Sequence, residues 1–542
     1  MKRILNNSYI LTAACAICLG IASCTKGFED LNKSPDKPDA QSLSIPGLFN
    51  GIAKNVADVG FNENTLFVAL LYDQANQQAV QGVDAPVVNY SSGLWSTYYP
   101  ILLNYKKLTA LINANPGKEN YSNVKYMADI LMASKTLRML DCYGDIPYSA
   151  AGQSTSGSDY FRPTYDAQSD VYKSVMADLK AAANGIKTND ATQISISNYD
   201  SFLGNDYQAW IRFANALRLR YAVRLYNKEQ ALATETITEI LGGNKPLPGN
   251  QDLAALSKNN FGLWPSNLNP KIVFGDRIWY SFREGSVTKM RMSSNVWDQM
   301  SANNNTDGSG IFDPRCRIWF MTNNADKWVP QPQNHSSPDG GQPYPGSKTR
   351  PAIGTDAANL YAAFNIQLVS DETTYPYIII SEADVYFLKA EIYQRGMGVA
   401  KDIAAAKAAY EAGIKSSVNF WYAYTGLAPW GNRPVQPSPA DLTAFLNNSK
   451  VAYNGANDAD ALKKIATQAW LATMWEPVEA WSIVRRTGLT PKDPTYTPAK
   501  PQVYKLPYPD DERINNYANW TKAINGVTSP DDQLKTKVYW MP

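Results

Sequence analysis

The chain has 542 residues, with 51 Lys plus Arg against 49 Asp plus Glu. This near-zero balance argues against nucleic-acid binding, which usually needs a clustered basic surface. His335 is the only histidine, so a zinc site built on two imidazoles is excluded. Charged residues make up 18% of the chain and apolar residues 44%, which allows a large buried core and excludes disorder over most of the length.

The first 23 residues have the pattern of an export signal. A short basic start precedes an apolar run from Ile10 to Ile21, which is too short to span a bilayer as a helix. The run ends in IASC, which resembles a bacterial lipobox, and this predicts lipidation, with palmitate among the acyl chains, at Cys24. The alternative is an ordinary signal with Cys24 incidental. No later segment has 18 consecutive apolar residues, so we expect the lipid anchor to be the only membrane attachment.

Residues 24–44 are rich in Pro, Asp, Lys and Ser and are predicted to be a tether, followed by a single domain over residues 45–542. The signal holds two basic residues and no acidic one, so the mature chain is formally neutral, which fits an uncharged ligand. Cys142 and Cys316 remain in the domain. Because they lie far apart in sequence, we expect two independent, half-buried thiols rather than a disulfide.

Helical periodicity dominates the domain and predicts a mostly α fold. Helices are expected near residues 52–78, 95–114, 122–140, 165–186, 206–227 and 459–487. In the helix over 206–227, bulky residues share one face, and the arginines between them are expected to pair with carboxylates of neighbouring helices or to be solvated. A helix pair over 381–396 and 401–417 turns at Gly396-Met397-Gly398 and has the size of a tetratricopeptide unit.

Between about residues 242 and 375 the periodicity is lost. This loop-rich insertion is dense in Asn, Pro, Gly and Ser, yet it contains five tryptophans. A long irregular segment inside a helical body is often functional.

Several motifs together resemble the SusD/RagB-like outer-membrane lipoproteins. They are, in chain order, the lipobox followed by FEDLN (28–32), DCYGDIPY (141–148), RFANALRLR (212–220), SEADVYFLKAE (381–391), EAWSIVRRTG (479–488) and LPYPDDERINN (506–516). Six motifs in the expected order cover nearly the whole mature chain. The pattern is closer to the branch with FANALRLR and EAWSIVRRTG than to the starch-binding founder, so starch itself is not carried over.

The resemblance implies tetratricopeptide-like helix pairs that form a curved scaffold, with irregular loops on one side. It implies a protein that is lipid-anchored on the cell surface of the outer membrane and partnered with a TonB-dependent, SusC-like transporter. Such a protein captures a nutrient, commonly an oligosaccharide, and passes it on without catalysis and without a cofactor. The alternatives are a cell-surface glycoside hydrolase, which needs two carboxylates flanking a cleft, and a structural transporter lid without its own ligand.

Sugar binding needs flat aromatic faces beside amide or guanidinium donors. Two segments, 72–99 and 279–297, offer this mixture, and the predicted ligand residues are Tyr72, Gln77, Trp95, Trp279, Tyr280, Arg291 and Trp297. Each aromatic could instead belong to the core or contact the transporter, and Trp95 in particular could begin a helix and pack inward. The sequence does not identify the nutrient, which could be a glycan or a peptide.

Other polar motifs favour structural roles. Asp141 and Asp145 are predicted to serve a helix-ending turn, and Glu479, Arg485 and Arg486 to form scaffold ion pairs. An oxygen-rich loop around Asp307 and Asp313 does not have the spacing of a calcium loop, and no metal site is predicted.

Overall fold

A computed structural model describes residues 44–56, 70, 91–153, 161–249, 256–264, 291–332, 360–369, 376–427, 430, 432–492, 503–529 and 533–542. The predicted export signal and nearly all of the predicted tether lie outside these residues. The chain divides into two compact units, Met1–Gly47 and Leu48–Pro542. All of the packing described below lies within the second unit.

The described residues form a mostly α fold, as predicted. The first eight helices are α1 (Ile45–Val56), α2 (Ser91–Ala114), α3 (Ser122–Tyr143), α4 (Gln168–Gly185), α5 (Tyr207–Leu225), α6 (Gln230–Ile237), α7 (Leu256–Asn259) and α8 (Ser294–Met300). The next eight are α9 (Cys316–Trp319), α10 (Glu382–Arg395), α11 (Ile403–Tyr424), α12 (Pro439–Asn447), α13 (Asp458–Ala472), α14 (Pro477–Thr487), α15 (Asp510–Asn515) and α16 (Tyr517–Ala523). Short 3₁₀ or π turns cover Lys118–Tyr121, Thr238–Gly242 and Ile366–Val369.

Most predicted helices are found within a few residues of their expected bounds, with two differences. The helix expected to begin near residue 52 begins at Ile45, and residues 57–69 and 71–78 of that expectation lie outside the described part of the chain. The single helix expected over 459–487 is two helices, because Pro477 occupies the first turn of α14 and cannot continue α13. The intervening residues 473–476 place Glu476 at the N-cap of α14.

Two small antiparallel sheets lie in and beside the predicted loop-rich insertion. Strand β1 (Phe261–Leu263) pairs with β4 (Tyr377–Ile380), and β2 (Phe320–Met321) pairs with β3 (Ala363–Phe364). The β1–β4 register shifts at Gly262, where a Cβ would lie 2.0 Å from the carbonyl oxygen of Tyr377. Only glycine allows the two backbones to approach this closely.

The core lies between consecutive helices. Helix α3 packs on α4, α4 on α5, and α10 packs on α11, α13 and α5. The predicted apolar face of α5 is buried, including Trp210 and Phe213 at 0% exposure, but three of its four arginines, Arg218, Arg220 and Arg224, are buried as well. From residue 213 onward α5 is therefore enclosed on all sides, and these three charges need partners inside the protein.

The predicted pair α10–α11 forms as expected. Ser381 and Asp384 make a reciprocal capping box that begins α10. Gly396, with φ of 67°, ends it in the left-handed conformation. Gly413 of α11 lies against Phe387 of α10, where a Cβ would meet the ring at 2.9 Å. The absence of a side chain at Gly413 sets the close approach of the two helices.

Among the described residues, the helices lack the combination of length and apolar character needed to cross a membrane. Cys142 and Cys316 keep thiols rather than a disulfide, as predicted. Both are fully buried, which is more than the half-burial expected, and burial raises the pKa of Cys316.

Candidate functional site

Two arginines of α5 connect most of the sequence motifs. Arg220 donates from Nη2 to Asp384 and Glu476, at 2.8 Å each, and from Nη1 to the carbonyl oxygen of Ile379 at 2.7 Å. Arg224, one turn later, forms ion pairs with Asp141 and Glu479. All six of the charged side chains are largely buried. We call Asp141, Arg220, Arg224, Asp384, Glu476 and Glu479 the buried charge network.

Asp141 is the most heavily bonded carboxylate of this network. Besides Arg224, its oxygens accept from the hydroxyls of Tyr172 (2.8 Å) and Tyr221 (2.6 Å) and from the indole nitrogen of Trp540 (2.9 Å). Its side chain is 2% exposed. A carboxylate that accepts from four donors inside the core has a structural role, as expected, but Asp141 fills it as a partner of distant side chains and not in the helix-ending turn predicted for it.

Asp145 also has the predicted structural role. Gly144, with φ of 78°, ends α3, and the Asp145 carboxylate then accepts from the backbone nitrogen of Gln168 at 2.9 Å, at the first residue of α4. The turn therefore ends one helix and caps the next.

The arginines of the EAWSIVRRTG motif are scaffold groups as well. Arg485 donates to the carbonyl oxygens of Asp141 (2.8 Å) and Tyr504 (2.7 Å), and its guanidinium stacks on Trp481. Arg486 binds Glu391 through two 2.7 Å hydrogen bonds. Burial alone would raise the pKa of Glu391, but Arg486 and Arg395 lower it to about 2.

Glu476 differs from the other carboxyls of the network. Burial, together with the adjacent Asp384 carboxylate, raises its pKa well above the usual range, although Arg220 opposes the shift. Glu476 therefore keeps its proton to a higher pH than a solvent-exposed glutamate does. Both side chains are 5% exposed, so this pair is enclosed rather than presented to a substrate.

An aromatic cluster surrounds the predicted ligand residue Trp95. The Trp95 ring lies edge-on to Tyr99 (5.3 Å), Tyr143 (5.1 Å) and Tyr508 (5.6 Å), measured between ring centroids, and 6.2 Å from Tyr165. We call these five residues the aromatic cluster. Trp95 belongs to the first turns of α2 and is 6% exposed, so it packs inward, which is the alternative weighed for it from the sequence.

Polar groups lie at the edge of the aromatic cluster. The Tyr165 hydroxyl donates to Glu512 at 2.8 Å, and both side chains are half-buried. The hydroxyl of Tyr99 is buried without a hydrogen-bond partner. The ammonium of Lys505 lies 4.3 Å from the Tyr508 ring centroid, and burial lowers its pKa to about 8. Because Trp95, Tyr143 and Tyr508 are nearly fully buried, only the half-buried edge formed by Tyr99, Tyr165 and Glu512 is accessible to a ligand.

The other described ligand candidates lie in the core of the loop-rich insertion. Arg291 is 0% exposed and its backbone forms a β-bridge with Ala363. Trp297 is 1% exposed on α8, whose first turn is capped by the Ser293 hydroxyl. As placed, neither side chain faces solvent. Tyr72, Gln77, Trp279 and Tyr280, as well as Cys24, lie outside the described residues.

The carboxylates of the oxygen-rich loop are bonded to other groups of the protein. Asp313 and Arg315 form a fully buried ion pair at 2.7 Å, and Arg315 also donates to Ser417 of α11 and Gln468 of α13. Asp307 accepts from the backbone nitrogen of Ser309 at 2.8 Å. Within the described residues, no group of three or more His, Cys, Asp or Glu side chains is placed to hold a metal ion. The loop therefore anchors the insertion to the helices.

The sequence analysis did not select Tyr99, Tyr165, Tyr508 or Glu512 as site residues. Tyr508 and Glu512 were visible as part of the LPYPDDERINN motif, but their partners lie more than 340 positions earlier in the chain. Spacing along the sequence contains no sign of that contact.

Comparisons with known proteins agree with the family resemblance. The SusD-like_2 family, described as starch-binding and associating with the outer membrane, matches residues 38–509. Solved structures with the same fold include a Bacteroidetes AC2a SusD-like protein (TM-score 0.68, 20% identity, 92% of this chain and 100% of that one). A SusD homolog from Parabacteroides distasonis has a TM-score of 0.66 at 19% identity, covering 92% and 98%.

A third solved structure is a chitin-binding SusD homolog from Flavobacterium johnsoniae, with a TM-score of 0.63 at 22% identity, covering 92% of this chain and 98% of that one. At these identities the structures establish a shared fold. No curated protein matches the sequence.

Proposed function

The chain belongs to the SusD-like_2 family, and from that premise we propose that it is a non-enzymatic lipoprotein of the outer-membrane surface that binds an oligosaccharide and passes it to a TonB-dependent, SusC-like transporter. The family match over residues 38–509 is the observation that carries this proposal. The solved homolog that binds chitin supports a glycan as the nutrient. The formally neutral mature chain is compatible with an uncharged ligand.

The aromatic cluster supports the position of the ligand site. It lies where the first predicted ligand segment, 72–99, enters α2, and its polar edge is formed by Tyr165 and Glu512. A sugar ring can place its C–H face on an aromatic ring while its hydroxyls bond to a carboxylate or phenol.

We assign different roles to the predicted ligand residues. Tyr72, Trp279 and Tyr280 are proposed as platforms for sugar rings, and Gln77 as a hydrogen-bonding group. Trp95, Arg291 and Trp297 are proposed to support these two segments from beneath, since their side chains are buried. A buried aromatic under a binding surface fixes the geometry of the residues above it.

The carboxyl groups of Asp384 and Glu476 do not have the arrangement of a glycoside hydrolase. Glycosidases place two carboxyl groups about 5 to 9.5 Å apart on either side of the scissile bond, with space for a sugar between them. Asp384 and Glu476 are in direct contact and share Arg220, so a sugar does not fit between them. The glycoside hydrolase remains the alternative that product analysis tests.

The central experiment is a titration of the protein lacking residues 1–24. Isothermal titration against malto-oligosaccharides, chito-oligosaccharides and a peptide panel should give saturable binding to at least one glycan, and chromatography of the same mixtures should show intact ligand. Cleavage products would replace the proposal with the hydrolase. Absence of binding to every ligand would favour a structural lid.

Single substitutions then test the site. Trp279→Ala should weaken glycan binding at least about tenfold, because aromatic platforms dominate such interfaces. Tyr199→Ala, at a 44% exposed tyrosine outside both predicted segments, is the matched control and should leave affinity unchanged. Trp95→Ala and Trp297→Ala require parallel unfolding measurements, since truncating a buried tryptophan costs about 3 to 5 kcal/mol. Unchanged affinity in all three tryptophan variants would remove the site assignment.

The transporter is tested by co-purification. A tagged form of the full chain, expressed in its own host and extracted in mild detergent, should retain a TonB-dependent barrel in a fixed ratio. Recovery of the protein without a barrel would contradict the partnership and would leave the glycan titration as a separate test.

A further inference from the structure

Three large apolar side chains are exposed beside the aromatic cluster. Phe161 is 65% exposed, Ile514 65% and Tyr517 63%. Apolar residues that are exposed singly are ordinary, but apolar side chains grouped on one surface typically mark an interaction site. We call these three residues the apolar patch.

The two segments that carry the apolar patch are held against each other. The side-chain amide of Asn516 donates to the carbonyl oxygen of Pro163 at 2.9 Å. The amide of Asn519 donates to the carbonyl oxygen of Arg162, the neighbour of Phe161, also at 2.9 Å. Phe161 therefore lies next to the junction of α15 and α16, which carries the other two members of the patch.

The Tyr517 ring is held in position by a second aromatic residue. It stacks on the indole of Trp520, with 6.0 Å between the ring centroids and 29° between the ring planes, and Trp520 is 6% exposed. Because Tyr517 itself is mostly exposed, the face of its ring opposite Trp520 is free to stack on a ligand. A ring that is already positioned loses little side-chain entropy when it binds.

Hydrogen-bonding groups continue from the apolar patch to the accessible edge of the aromatic cluster. Glu512, two residues before Ile514, accepts from the Tyr165 hydroxyl (2.8 Å) and from Asn516 (3.1 Å), in both cases at Oε2. Within the described part of the chain its Oε1 forms no hydrogen bond, so it can accept from a ligand hydroxyl. The Tyr99 hydroxyl at this edge is a donor without a partner. Apolar faces beside an acceptor and a donor match the C–H face and the hydroxyl rim of a sugar ring.

The charge around the apolar patch favours a neutral ligand. The first turn of α15 carries Asp510, Asp511 and Glu512, against two nearby arginines, Arg162 and Arg513. Arg513 is paired with Asp510 at 3.2 Å. Because this surface has no excess of positive charge, it does not favour phosphate groups, anionic lipids or sulfated glycans. A neutral oligosaccharide fits both the charge and the apolar faces.

We propose that the apolar patch and Glu512 form a further sugar-binding subsite for a neutral oligosaccharide, in addition to the platforms proposed in segments 72–99 and 279–297. Tyr517 is the stacking platform, the other two members of the patch extend the apolar surface, and Glu512 accepts from sugar hydroxyls. This subsite rests on the proposed function, since the oligosaccharide is the ligand proposed there.

Isothermal titration with the malto- and chito-oligosaccharides tests the subsite in the protein that lacks residues 1–24. Tyr517→Ala should weaken binding at least about fivefold, because aromatic residues dominate the energy of binding surfaces. Tyr517→Phe keeps the ring and should keep the affinity. Tyr199→Ala, at another exposed tyrosine, is the matched control and should leave the affinity unchanged. Since both tyrosines are exposed, all three variants should melt at the temperature of the unsubstituted protein.

The outcomes separate this subsite from the proposed function. If the unsubstituted protein binds none of these glycans, both are overturned. If it binds a glycan and the affinity is unchanged in Tyr517→Ala and in Phe161→Ala, the subsite alone is overturned. If Tyr517→Ala keeps the glycan affinity but no longer co-purifies with the barrel, the patch contacts the transporter instead and the subsite is again overturned.

Discussion

Asp141 determines the stability of the buried charge network at the scale of a single residue. Asp141→Asn keeps the shape but removes the charge that balances Arg224, and removing one partner of a buried ion pair costs about 3 to 5 kcal/mol. We expect urea unfolding of this variant to show a loss of this order. Asp511→Asn, at an exposed carboxylate on α15, should change the free energy of unfolding by less than about 0.5 kcal/mol. Equal midpoints for the two variants would contradict the role of Asp141.

Asp178 on α4 makes the stability of the fold depend on pH. The sign is opposite to that expected from Glu391, because the pKa of Asp178 is raised and that of Glu391 is lowered. Burial and the nearby Asp129 raise the pKa of Asp178 to about 6, against the partial opposition of Lys125. The folded state thus binds more protons than the unfolded state between about pH 4 and 6, and stability falls as pH rises through that window.

The substitution Asp178→Asn removes the loss of stability that occurs as pH rises from about 4 to 6. We expect the variant to be more stable than the unsubstituted protein at pH 8, by no more than about 1 kcal/mol because the half-buried group is partly screened by solvent. At pH 4 the two proteins should have the same urea midpoint. A gain that is the same at both pH values would show that ionisation of Asp178 is not its cause.

The sequence indicated some of these residue roles and not others. A glycine followed by an aspartate predicted the turn at Asp145, because that chemistry is local. The partners of Asp141 could not be predicted, since Tyr172, Tyr221 and Trp540 lie 31 to 399 positions away and nothing in their spacing encodes the contact. The same limit applies to the buried arginines of α5. Pairing with carboxylates of neighbouring helices was one of the two alternatives predicted for them, but the sequence did not identify which carboxylates.

At the scale of the element, the α10–α11 pair depends on one glycine. Gly413→Ala gains about 1 kcal/mol of helix propensity, but the new Cβ meets the Phe387 ring, which is 2% exposed and cannot move away freely. Overpacking typically costs about 1 to 3 kcal/mol, so we expect a net loss of stability in denaturant unfolding.

Gly51 on α1 is the matched control for that substitution. A Cβ at Gly51 meets nothing within 4 Å, so Gly51→Ala should stabilise the protein by up to about 1 kcal/mol. The two substitutions have the same chemistry and opposite expected signs. If both stabilise, the close approach at Gly413 does not limit the pair.

Helix boundaries show why elements were easier to predict than their breaks. The apolar periodicity over 459–487 continued across Pro477 and outweighed the break signal that this proline supplies, so one helix was predicted where there are two. The α10–α11 turn was predicted correctly because Gly396 supplies a local signal, a positive φ that other residues rarely adopt.

At the scale of the whole molecule, the fold was more predictable than the site. Six motifs indicated the family, and the charge network now gives a physical reason for several of them, since Asp141, Arg220, Asp384 and Glu479 come from four different motifs and meet in one place. The ligand face had no such constraint. Trp95 illustrates the difficulty, because an aromatic residue has the same sequence signature whether it stacks on a sugar or packs on Tyr143 and Tyr508.

In the proposed function, membrane attachment of the whole molecule depends on lipidation of one residue, Cys24. Each buried acyl methylene contributes about 0.8 kcal/mol, so two or three chains hold a protein on a membrane for far longer than a cell generation. In the native host, Cys24→Ser should therefore abolish labelling with radioactive palmitate and shift the protein from the membrane pellet to the supernatant. Cys18→Ser, inside the apolar run, is the matched control and should keep both the label and the sedimentation. Label retained by Cys24→Ser would show that the lipid is attached elsewhere, whereas label absent from the unsubstituted protein would favour the ordinary cleaved signal.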